Sequence, residues 1–238
     1  MGTSGMRLRA IVCCTFLTAI VVAVALPRAA FAHALAVGDQ GYIQEITGIH
    51  LIPFAYLGAK HMVTGYDHLL FLLGVIFFLY RLRHIAIYVS LFALGHSTTL
   101  LLGVLAETSI SSYLIDAIIG FSVVYKALDN LGAYRRWFGV QPNTKAATLI
   151  FGLFHGFGLA TKIQDFDISP EGLIANLLAF NVGVEIGQFL ALAAILIAIS
   201  FWRRTESFWR HAYTANVALM TAGFILIGYQ LTGYFLLV

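Results

Sequence analysis

Apolar stretches of about twenty residues recur along this chain, and each is long enough to cross a hydrocarbon layer as a helix. They run over residues 65–80, 85–106, 111–128, 146–163, 172–202 and 212–237. Lipid offers the backbone no hydrogen-bond partners, so such stretches must form helices that satisfy their own N–H and C=O groups. Composition closes off the alternatives. Of 238 residues, 60% are hydrophobic and only 11% are charged, against roughly 25% charged in a soluble domain. A soluble nucleic-acid binder is excluded as well, because basic residues nowhere cluster on a polar segment. The fold expected is an all-α integral membrane protein with six transmembrane helices after an N-terminal signal peptide.

The signal is read from Arg7 and Arg9, the apolar run over 11–26, and the small-x-small site Ala30-Phe31-Ala32. Cleavage after Ala32 removes both cysteines, Cys13 and Cys14, so thiolate chemistry is not expected in the mature chain. It also removes three arginines, leaving eleven basic residues against eleven acidic ones. The new N-terminus would be His33, whose α-amine and imidazole make a chelating pair for a divalent ion. Residues 1–32 are thus the signal, 33–64 a periplasmic and interfacial segment, and 65–238 the membrane domain. Within 33–64 the apolar run 49–59 contains Pro53 and Gly58, which argue for an interfacial or re-entrant piece.

Basic residues orient the spans. Arg81, Arg83, Arg135, Arg136, Lys145, Arg203, Arg204 and Arg210 occupy three alternate connections, while Lys60 and Lys162 occupy the others. The first group marks the cytosol, which places the mature N-terminus and the C-terminus in the periplasm of a bacterial inner membrane. Trp137, Trp202 and Trp209 fall in or beside the same connections, as interfacial anchors do.

Against this apolar background the ionisable residues inside the spans carry the functional information, since each costs roughly 2.5–3.5 kcal/mol at a span centre. The candidates for metal binding are His61, Asp67, His68, His96, His155 and Glu185, with Asn181, Gln188 and Asp116 as supporting polar groups. Imidazole and carboxylate donors without thiolate suit Ni²⁺, Co²⁺ or Zn²⁺. Each residue alone has a simpler account as a helix-to-helix hydrogen bond, and His50, His84 and His211 are read that way; six together point to a metal or proton path. On a continuous helix His61 and His68 would stand about 10 Å apart, too far to share an ion, unless Gly65 makes the helix start irregular. Gly152/Gly156 and Gly183/Gly187 are small-xxx-small pairs. Close packing of the fourth and fifth spans through them is expected to bring His155 near Glu185. Asp129 and Lys126 read as an interfacial ion pair.

His61, five residues, then Asp67-His68 resembles the first signature of the HupE/UreJ family of small membrane proteins. Similarity extends through Ala93-Leu-Gly-His96-Ser-Thr-Thr-Leu, Phe151-Gly-Leu-Phe-His155-Gly156 and Phe180-Asn181-Val-Gly183-Val-Glu185-Ile-Gly-Gln188, blocks similar to the UreJ-like branch. The hydrogenase-linked branch continues its second signature with another His and a Glu, where this chain has Gly158-Leu159-Ala160. The resemblance implies nickel uptake for hydrogenase or urease. The function expected is a secondary permease for a divalent transition metal, with no permanently bound cofactor; no nucleotide-binding G-x-x-x-x-G-K-[ST] occurs. Its partners are the bilayer and the metal ion, with a homo-oligomer allowed. Two other classes remain open: an integral-membrane zinc-dependent hydrolase on the same residues, and a structural or assembly subunit of a membrane complex.

Overall fold

The computed structural model describes residues 3–25, 46–107, 110–164 and 170–237, and all regular structure within them is helical. Helix α1 covers Thr3–Ala25, α2 Leu51–Thr64, α3 Tyr66–Ile76, α4 Leu82–Leu105 and α5 Ser112–Asn130. They are followed by α6 (Ala133–Phe138), α7 (Thr144–Gln164), α8 (Leu173–Arg203) and α9 (Glu206–Leu237). Four of these, α4, α7, α8 and α9, are long and apolar enough to cross a membrane by length and composition. Helix α5 carries Asp116, Lys126 and Asp129, and α2 and α3 are each short. That measure therefore supports four spans rather than six. The expected cleavage site at Ala30-Phe31-Ala32 and His33 lie outside the described residues. Helix α1 packs on α9, with Phe16 edge-on to Phe224 at 5.2 Å between ring centroids.

Small residues assemble the bundle in three seams. Between apolar helices in lipid the hydrophobic effect gives little, so close backbone approach has to supply the attraction. In the first seam a side chain on Gly58 would strike the backbone of Phe180 and Val184, one on Gly183 that of Ala55, and one on Gly187 that of Ala59. The numbers rise together, so α2 and α8 run parallel. In the second, Gly95 abuts Leu149 and Leu153, Gly156 abuts His96, and Gly103 abuts Ala160, so α4 and α7 are also parallel. In the third, Gly120 meets Ile227 and Gly223 meets Val124, making α5 and α9 antiparallel.

The first seam corrects the sequence-based boundary at Gly65. Residues 51–64 form a helix along α8 rather than an interfacial piece. Pro53 is the third residue of α2, where its missing N–H is one of the four donors that lack an intrahelical acceptor anyway. Gly58 serves the seam instead of breaking the helix. Helices α2 and α3 then follow one path beside α8, broken only at Gly65 (φ −71°, ψ 98°). At the far end of that path Arg203, the last residue of α8, donates to the carbonyls of Ile76, Phe77 and Leu79 and lies 4.4 Å over the Tyr80 ring. It thereby caps the carbonyl end of α3 with a cation.

The expected packing of the fourth and fifth spans does not occur. Gly152 and Gly156 of α7 are taken by α4, and Gly183 and Gly187 of α8 by α2, so each pair packs closely but on a different partner.

Candidate metal-binding site

Four histidines and one aspartate converge on the break at Gly65. His68, in the first turn of α3, is the hub. Its ring centroid lies 5.2 Å from that of His61 in α2, 5.1 Å from His155 in α7 and 6.1 Å from His96 in α4. All four rings are buried, three at 0% exposure and His61 at 6%. The irregularity at Gly65 is what brings His61 and His68 together, where a continuous helix would hold them two turns apart. Glycine is required there by space: a Cβ would lie 2.6 Å from the His68 Nδ1 and 3.2 Å from the Asp67 Oδ1.

Asp67 is 2% exposed. Its Oδ1 accepts the backbone N–H of His68 at 2.9 Å and lies 3.2 Å from the His68 Nδ1. A carboxylate in the first turn of α3 is stabilised by the positive end of that helix, while the last carbonyls of α2 present the negative end of theirs at the same break. His155 is oriented by a contact of its Nδ1 with the Phe151 carbonyl at 2.7 Å, leaving Nε2 as the ring atom directed away from its own helix. Among the described residues, no three His, Cys, Asp or Glu side chains have their donors arranged to hold one ion as they stand. The imidazoles meet through their rings, and rotation about side-chain bonds would have to turn nitrogens inward.

The other expected residues fall elsewhere. Glu185 stands on the exposed side of α8 among Val182, Ile186 and Phe189, and the seam that would have turned it toward His155 is occupied by α2. It is not brought to the histidines. Asn181, on the same helix, is buried, and neither its Oδ1 nor its Nδ2 has a hydrogen-bond partner. Gln188 donates to the Val89 carbonyl at 3.4 Å. Asp116 pairs with Lys162 at 2.6 Å, tying the start of α5 to the end of α7. Lys126 pairs with Asp129 at 2.5 Å, as the sequence suggested. His50 donates its backbone N–H to Asn176, and the His211 ring contacts the Ser207 carbonyl.

The family model described as HupE / UreJ protein matches residues 37–238. The chain belongs to the HupE/UreJ family. The match includes every residue of the histidine cluster, so the resemblance carried by His61, Asp67 and His68 extends over helices α2 to α9. No curated protein and no solved structure matches this HupE/UreJ chain.

What sequence reading did not find in this HupE/UreJ member is the hub itself. Spacing along the chain could pair His61 with His68, but the approach of α4 and α7 is set by the seams. Along the chain Arg203 is only one of the charges that orient the spans. A visible signal was its position at the end of the longest apolar run, opposite the carbonyl end of the first.

Proposed function

We propose that this protein is a secondary permease carrying a divalent transition metal ion, nickel foremost and Co²⁺ or Zn²⁺ by the same donor chemistry, from periplasm to cytosol through the bacterial inner membrane. Family membership supports metal uptake as the general role. The single observation that carries the reading is the gathering of His61, Asp67, His68, His96 and His155 at a helix break. Broken helices near mid-membrane are where transporters place ion sites, because half-helix ends add their dipoles to the side chains. Imidazole and carboxylate donors that must reorganise around the ion suit a cargo that is taken up and released.

Six crossings follow if α2 and α3 count as one broken span and α5 as another. The 26 residues of 51–76 would rise about 39 Å, enough for a hydrocarbon core of about 30 Å. Parallel first and fifth, parallel second and fourth, and antiparallel third and sixth units are the directions that six successive crossings require. They leave the basic connections at one end, read as cytosolic, and both mature termini at the other. A membrane potential supplies about 4.6 kcal/mol per 100 mV to an inward divalent cation, about three decades of accumulation. Histidines of the site accept the ion from the outer side, with Asp67 balancing its charge.

The test is nickel uptake by cells or liposomes containing the Asp67→Asn, His68→Ala double variant. Uptake should be abolished while the protein remains inserted, and His50→Ala and His211→Ala should transport normally. Full uptake by a well-expressed double variant would overturn the reading.

A further inference from the structure

Three of the four histidine-bearing helices of the site, α3, α4 and α7, also carry a phenylalanine one turn from the histidine, and in each the turn leads toward the same end. In α3 it is Phe71, three residues beyond His68 toward Arg81. In α4 and α7, which run the opposite way, Phe92 and Phe151 come four residues before His96 and His155, toward Arg83 and Lys145. Three helices of two polarities therefore place one histidine layer and, beneath it toward the basic end, one phenylalanine layer. The rings are packed: Phe71 is 5.3 Å from Phe92 and 6.1 Å from Phe151, centroid to centroid. Their exposures are 2%, 1% and 7%. Tyr125 of α5 backs Phe151 at 5.2 Å.

We infer that Phe71, Phe92 and Phe151 form the inner gate of the metal path, an apolar seal between the histidine site and the basic end of the bundle. The inference rests on the transport reading above. A divalent ion cannot pass a packed aromatic constriction with its hydration shell, and stripping that shell against rings that offer no donor is prohibitive. Hydrophobic constrictions close ion paths in this way, by excluding water rather than by charge. The seal is also wired to the site. The His155 ring lies 4.8 Å from Phe92 and 5.6 Å from Phe71, and His96 stacks on Phe92 at 6.2 Å. Imidazoles that turn their nitrogens onto an ion must move against these rings. Occupation of the site therefore loosens the seal, which makes release to the inner side follow capture. Beyond the layer the same helices offer the smaller buried side chains Val75, Val89 and Thr148.

The experiment uses the full chain in liposomes enclosing a nickel-sensitive dye, with Ni²⁺ outside and the potential clamped at zero, alongside Ni²⁺ binding to the purified protein. Phe71→Ala and Phe151→Ala should bind Ni²⁺ as the unaltered protein does, yet pass it about tenfold faster, a barrier change of about 1.4 kcal/mol. Phe151→Leu should keep the seal. Phe151→Tyr, which retains the ring and wets it with a hydroxyl, should leak; it serves if the alanine variants do not fold. Unchanged flux with intact binding in the alanine and tyrosine variants would overturn the gate. So would joint loss of binding and flux, which would make the rings mere supports for the histidines. If the unaltered protein neither binds nor passes Ni²⁺, the transport reading fails instead. The seal is then read from thiol labelling of Leu159→Cys from the basic side in a chain with Cys13 and Cys14 replaced by serine. Labelling should become about tenfold faster with Phe151→Ala, and an unchanged rate would refute the seal on its own.

Discussion

The α2–α3 path and α8 run side by side in the same direction, from the contact of Gly172 with Gly48 to the contact of Arg203 with Leu79. One is broken in the middle and the other is 31 residues without interruption. The broken one buries His61, Asp67 and His68. The continuous one turns its only carboxylate within the run, Glu185, to the exposed side and buries amides instead. Of these two, the interrupted path is the one that buries ionisable groups. An intact helix spends its dipole groups on itself, whereas a break frees a positive end for Asp67 and a negative end for a cation at one point. The unbroken neighbour is the rail that keeps the two halves in line.

The largest effect expected from breaking this contrast is at His68. His68→Ala removes the hub that touches the other three imidazoles, and nickel uptake in cells should fall to background. Glu185→Gln, the counterpart on the continuous helix, should leave uptake within about twofold, since a neutral amide on that exposed face costs no buried pairing.

Next come the two glycines that define the contrast. Gly183→Ala puts a methyl group into the backbone of Ala55, which cannot yield as a side chain can, and overpacking should cost about 1–3 kcal/mol or more. Its signature is a lowered melting temperature of the purified protein. Gly65→Ala meets mainly the His68 ring, so its signature should be lost uptake with melting temperature nearly kept. Equal behaviour of the two variants would erase the distinction between rail and break.

Arg203→Ala should follow, uncapping α3 and costing about 1.5–3 kcal/mol, read as a lower melting temperature. Arg203→Lys should recover part of it, because a single ammonium cannot serve three carbonyls in the planar manner of a guanidinium. The gentlest probe is pH. Each imidazole that coordinates the ion must first lose its proton. Nickel uptake at constant free metal should therefore decline on acidification, and an uptake rate that rose as pH fell would argue against histidine ligation.

Much of this architecture was legible in residue order. Apolar runs marked α4, α5, α7, α8 and α9 to within a few residues except for the start of α9, which begins at Glu206 rather than 212. The rarity of ionisable groups in the apolar runs singled out His68, His96 and His155, and His61 joined them through its seven-residue spacing from His68. The partnership of helices was not legible. Gly152 and Gly183 announce that something packs closely but carry no address, and α2 was hidden because Pro53 and Gly58 break helices in water yet start and dock one here. Glu185 shows the same limit: its chemistry suited a metal, but which side of α8 faces the site is decided by α2. The phenylalanine layer was visible only as a spacing of three or four residues from each histidine, which means nothing until the helix directions are known.

The ion pair between Asp116 and Lys162 bears on how the molecule is made. Helix α5 carries Asp116 in its second turn, and the cation that matches it is synthesised 46 residues later. At about 5–20 residues per second, that gap lasts about 2–9 s. For that interval the nascent α5 carries Asp116 without its cation, at a cost of at most roughly 2.5–3.5 kcal/mol wherever that carboxylate meets lipid. On the six-crossing reading proposed above, that carboxylate is matched only when α7 has joined α5.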